Sequence, residues 1–115
     1  MALEQEKCVA CEGVQGRLSN EQAQGMLGEI PGWEIVDNTI QRTFPLANFV
    51  AAMDFASQIT PIAEQENHHP DLHISWGKVR VELSTHKVGG LSRNDFILAA
   101  KINQLWDSKQ EAASI

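Results

Sequence analysis

Long apolar runs, basic clusters and cysteines are all scarce in this chain, and each shortage excludes a class of protein. No uninterrupted apolar run is longer than that from Phe49 to Met53, far short of the roughly 20 residues a membrane helix needs. Met1 to Ala10 has no apolar stretch of the signal-peptide kind. No membrane partner is therefore expected, and a cytoplasmic location is. The nine Lys and Arg are scattered and outnumbered by 15 Asp and Glu, for a net charge of −6. With no basic stripe to neutralise phosphates, nucleic acid is not expected as a partner. Cysteine occurs twice, as Cys8 and Cys11. A structural zinc site needs four ligands and nothing nearby supplies the other two. A redox CxxC would follow a strand and open a helix, and this one does neither.

What remains is 115 residues, 43% of them hydrophobic, enough for one compact domain. Residues 1–17 read as a flexible leader carrying the CxxC, and 18–115 as the domain. Ser19 caps a predicted helix over 21–29, stopped by Pro31-Gly32. Residues 33–36 and 39–44, joined by Asp37-Asn38, read as a hairpin. From Leu46 the period becomes helical. Leu46, Phe49, Val50, Met53 and Ala56 are taken as the apolar stripe, Ile59 and Ala63 prolong it toward Asn67, and Pro61 predicts a kink near 57–60. Leu72, Ile74 and Trp76, then Val79, Val81 and Leu83, alternate with polar residues as a second hairpin. A last helix over 92–108 starts at Ser92, with Asp95 three residues on as a carboxylate variant of the capping box. The order α-β-β-α-β-β-α predicts an α+β fold: a four-stranded antiparallel sheet with three helices on one face. There is no internal repeat.

The second hairpin allows a register to be predicted. If Gly77-Lys78 is the turn, Trp76 faces Val79, Ile74 faces Val81, Leu72 faces Leu83 and His73 faces Glu82. Two steps further, His69 is set opposite His86, at a Cβ separation of about 5 Å. His73, satisfied by Glu82, is given no function. His68, His69 and His86 could each be an ordinary polar residue at an element boundary, but together they suggest a site.

Three histidines with an open fourth position describe many catalytic zinc sites. Adjacent His68 and His69 in extended chain diverge, however, and no helical His-x-x-x-His pair is present, so no metal is expected. General acid–base chemistry needs only imidazoles around a pocket and tolerates side chains arriving from different directions.

Glu64, the run His68-His69-Pro70, the run Ser84-Thr85-His86, and Gly90-Leu91-Ser92 with Asp95 resemble the pterin-4a-carbinolamine dehydratases in order and spacing. Some members of that family also act as dimerisation cofactors of a homeodomain transcription factor. The resemblance implies dehydration of 4a-hydroxytetrahydropterin to quinonoid dihydropterin with no cofactor, and self-association to a homodimer or homotetramer. It implies catalytic roles for His68, His69 and His86, with Glu64 and Asp95 as acidic neighbours. It also implies pterin contacts from His68, His69 and Pro70 and from Ser84, Thr85, His86, Lys87 and Val88. For Asp95, a carboxylate in a first helical turn is favourable without any catalytic role, and that reading stands beside the catalytic one. Asn67 departs from the family, where many relatives carry an acidic residue before the histidine pair. The alternatives are a non-catalytic module of the same fold acting by association, and a metal-dependent hydrolase on the same histidines.

Overall fold

The computed structural model describes residues 3–6 and 17–113, without the side chains of 110–113. Cys8 and Cys11 lie outside the described residues. The element order is α1 (Asn20–Met26), β1 (Glu34–Val36), β2 (Thr39–Pro45), α2 (Phe49–Glu66), β3 (Asp71–Ser75), β4 (Lys78–Leu83) and α3 (Arg93–Ala113). This is the expected α+β order. The sheet is antiparallel throughout, in the order β1-β2-β4-β3.

Local signals account for the element ends. Ser19 closes a full capping box with Gln22 at the start of α1. A 3₁₀ turn, Leu27–Glu29, continues it to the predicted stop. Ile35 faces Ile40 and Val36 faces Thr39 across the predicted two-residue turn, where Asp37 takes φ 54°. Asn48 caps α2 through its side chain on the Ala51 N–H. The helix runs unbroken through Pro61.

One face of the sheet forms the core. Ile40 and Phe44 of β2 and Val79, Val81 and Leu83 of β4 are buried together with Ala23 of α1, Phe55 and Ile59 of α2, and Phe96, Leu98 and Ile102 of α3. Phe44 sits between Phe55, at 4.9 Å, and Trp106, at 5.1 Å between ring centroids. Arg42, also on the inward face, lies over the Phe44 ring and donates to Asn103 Oδ1 and the Pro31 carbonyl, so a cation at the core's edge has an aromatic face and two acceptors. Residues 3–6, part of the segment read as a leader, lie against α3: Leu3 joins the core, and Glu6 accepts two hydrogen bonds from Arg93.

Two expectations are corrected. The predicted stripe of α2 holds for Ala56, Ile59 and Ala63, which are buried, and fails in the first turns: Phe49, Val50 and Met53 are exposed, and Ala52 and Phe55 are buried in their place. Five consecutive apolar residues, 49–53, cover every azimuth of a helix, so period alone cannot choose the face there. The register of the second hairpin is also shifted. Its turn is Trp76-Gly77, so Ser75 faces Lys78, Ile74 faces Val79, Leu72 faces Val81 and His73 faces Arg80. Gly77, at φ 81°, occupies the second central position, the one where a type II turn requires glycine. A shift of two residues keeps every side chain on its predicted face, which is why apolar still meets apolar and the error leaves no trace in the pattern. Trp76 is then a turn residue, 73% exposed.

Candidate functional site

The histidine pair is placed by the way α2 ends. Asn67 adopts a left-handed conformation (φ 50°, ψ 41°), its N–H bonds to the Glu64 carbonyl, and the His68 N–H reaches back to the Ala63 carbonyl. That is a Schellman motif, and asparagine tolerates its left-handed position better than most residues. Asn67 is therefore a helix stop. His68 and His69 emerge directly after it, and Pro70 leads into β3.

The two side chains go different ways. His68 Nε2 meets Asp95 Oδ1 at 2.6 Å, with the His68 side chain 12% exposed and Asp95 fully buried. His69 Nε2 turns back to Glu64 Oε2, 2.5 Å away on the last turns of α2, and both of these side chains are largely exposed. His69 and Glu64, with Pro70, Ile59, Thr60, Ala63 and Leu72, line an open hollow of about 150 Å³.

Asp95 is the hub of the buried half. Its Oδ2 accepts the Ser92 N–H at 2.9 Å and the Thr85 hydroxyl at 3.0 Å, and Thr85 Oγ1 is 2.7 Å from Ser92 Oγ. The predicted capping role and an engaged histidine are thus combined in one carboxylate. Thr85 is pinned by an isolated bridge to Gly90, its N–H donating to the Gly90 carbonyl at 2.8 Å. The resemblance implied a pterin contact for Thr85 and the spacing a cap for Ser92; the contacts of the Thr85 hydroxyl with Asp95 Oδ2 and with Ser92 Oγ were in neither reading. The Ser92-x-x-Asp95 spacing gave half of that geometry, while Thr85 joins it only through the fold.

His86 does not face His69 across the hairpin as predicted, because β3 begins at Asp71 and β4 ends at Leu83. It opens a 3₁₀ turn, His86–Val88, and is exposed. Among the described residues its imidazole forms no hydrogen bond or ion pair. It is brought to the same end of the sheet as His68 because its neighbour Thr85 shares the Asp95 carboxylate with His68. Ser84 is half-buried, Lys87 exposed and Val88 buried. His73 lies on the opposite, outward face of the sheet and pairs with Glu82 diagonally across the ladder. No group of three or more metal-ligating side chains occurs among the described residues.

Fold and site together define a small single-sheet α+β protein with a histidine–carboxylate cluster where α2 and β4 end and α3 begins. The chain belongs to the pterin 4 alpha carbinolamine dehydratase family, whose sequence model matches residues 16–105. It is 43% identical over 106 residues to a putative pterin-4-alpha-carbinolamine dehydratase of Methylococcus capsulatus, covering 90% of this chain and 93% of that protein. It is 46% identical over 102 residues to one of Rickettsia canadensis, covering 87% and 94%. A crystal structure of a transcriptional coactivator/pterin dehydratase from Brucella melitensis superposes with a TM-score of 0.73 at 32% identity, covering 77% of this chain and 97% of that one.

Proposed function

We propose that this chain is a hydro-lyase that converts a 4a-hydroxytetrahydropterin to quinonoid dihydropterin and water, in pterin cofactor recycling, by histidine acid–base catalysis without a metal or redox cofactor. The C4a–O bond breaks with its electron pair on oxygen, which takes up a proton and leaves as water. The N5 proton is removed, and the N–H electrons complete the C4a=N5 double bond. Two proton transfers at neutral pH are what imidazoles do well.

The observation that carries this reading is the His68–Asp95 pair, an imidazole held by a buried carboxylate at 2.6 Å, with His69 next to it in the chain and His86 adjoining Thr85, which shares that carboxylate. Glu64 and His69 border a hollow whose Ile59, Ala63, Pro70 and Leu72 supply apolar surface suited to one face or edge of a pterin ring. Loss of hydroxide makes the ring cationic, and Glu64 and Asp95 are the carboxylates nearest the histidines to offset that charge. Pterin contacts from His68 to Pro70 and from Ser84 to Val88 belong to the same proposal, as does the cytoplasmic location expected from the composition.

Self-association to a dimer or tetramer is a further part of the proposal. It is supported by Phe49, Val50 and Met53, exposed in a row along α2. The same surface favours a second reading, a non-catalytic module of this fold acting by association. The two are separated by assay. Protein stripped with chelator should accelerate the decay of synthetic 4a-hydroxytetrahydropterin. Activity absent after stripping and restored by zinc would replace the lyase with a metal enzyme, and no activity under any condition would favour the association module.

A further inference from the structure

Asp95 has more partners than a helix start requires. A capping carboxylate needs only the Ser92 N–H, yet here Oδ2 also takes the Thr85 hydroxyl and Oδ1 takes His68 Nε2. Proton bookkeeping gives this cluster a direction. An ionised carboxylate only accepts, and a threonine hydroxyl has one hydrogen to give. Thr85 gives that hydrogen to Asp95, so at its 2.7 Å contact with Ser92 it is the acceptor and Ser92 the donor. The hydroxyls line up as Ser92 Oγ–H to Thr85 Oγ1–H to Asp95 Oδ2. Thr85 is 7% exposed, and Ser92 and Asp95 are fully buried, so water does not compete for these bonds.

We propose that Thr85 and Ser92 are positioning residues for the dehydration: their hydroxyl relay fixes the Asp95 carboxylate so that Oδ1 holds the Nε2–H of His68 and leaves Nδ1 as the only proton acceptor of that ring. The inference rests on the dehydratase reading and assigns His68 a direction within it. Neutral His68 takes the N5 proton at Nδ1, the N–H electrons pass into the C4a=N5 bond, and Asp95 faces the resulting imidazolium. Thr85 then serves the reaction through Asp95 and not through a hydroxyl contact to the ring. The backbone bridge to Gly90 explains how a residue just past the end of β4 holds its hydroxyl inward.

The test reads His68 itself as well as turnover. In the wild-type protein the Nε2–H should give a downfield proton resonance protected from solvent exchange and absent from His68→Gln. Thr85→Val, close to isosteric, should speed exchange of that proton about tenfold and lower kcat about tenfold with KM unchanged, whereas Thr85→Ser should retain both near wild type. Ser92→Ala, which removes only the outer donor, should fall between them at about threefold. If Thr85→Val kept the resonance and kcat and merely melted earlier, the hydroxyls would be structural and the relay overturned. Thr85→Ser proving as slow as Thr85→Val would overturn it equally. Should Thr85→Val fail to fold, the Ser92→Ala and Thr85→Ser pair decides on the same criteria. An inactive wild type would sink the dehydratase reading, while the resonance would still decide whether the relay holds His68.

Discussion

His68 and Asp95, 27 residues apart, meet at 2.6 Å with the carboxylate fully buried and the imidazole nearly so. The Schellman end of α2 delivers one and the first turn of α3 the other, so neither side chain depends on a mobile loop for its place. A carboxylate buried in this way carries structural as well as chemical weight, because three donors converge on it.

That dual role separates the two acidic residues of the site by stability. Asp95→Ala strands the Ser92 N–H and the Thr85 hydroxyl in the interior and should cost about 3 kcal/mol in denaturant unfolding. Glu64→Ala, at a side chain 68% exposed, should cost less than about 0.5 kcal/mol. Equal losses would mean that Asp95 is not the hub described above.

Much of this was legible in the sequence, and the errors have physical causes. Element order and type followed from period, caps and turns. The candidate residues His68, His69, Asp95 and Glu64 are paired in the fold as His68 with Asp95 and His69 with Glu64. The register of the second hairpin was misread by two residues because a two-residue slip preserves the alternation, and Gly77 suits the first central position of a type II′ turn as well as the second of a type II turn; only the ladder pair Ser75 with Lys78 separates them. His68 and the Thr85–His86 segment still converge, through the Asp95 carboxylate and not through strand pairing. The exposed face of α2 was misjudged because Phe49 to Met53 is apolar on every side. A partner subunit would bury what a single chain leaves open.

Association should therefore depend on that face. Sedimentation at micromolar concentration should show wild-type protein as a dimer or tetramer. Val50→Glu, a charge on a residue 68% exposed in the single chain, should shift it to a smaller species without loss of helix content. A strictly monomeric wild type would rule out self-association.

The contact between residues 3–6 and α3 should respond to pH. The Arg93 guanidinium, bonded twice to Glu6, lowers the Glu6 pKa below the ordinary carboxylate value and raises that of Arg93. A carboxyl group with a depressed folded-state pKa stabilises above its unfolded pKa, and that contribution disappears as pH falls through the folded value. Glu6→Gln should accordingly lower the melting temperature slightly at pH 7, by no more than about 1 kcal/mol in stability since the pair is partly solvated, and should match wild type once the pH lies well below the glutamate range. A difference that persisted in acid would mean that the pair contributes by packing and not by charge.

The central claim is that dehydration is carried out at the end of the sheet where His68, His69 and His86 gather, and the outward-facing His73 provides the internal control. The most direct measurement is kcat/KM toward 4a-hydroxytetrahydropterin, with chelator present, for His68→Ala and His73→Ala beside wild type. We expect His68→Ala to fall by about 100-fold or more, with His69→Ala and His86→Ala falling similarly, while His73→Ala stays within about twofold. Comparable losses in His68→Ala and His73→Ala, with both proteins melting normally, would contradict the assignment of the site.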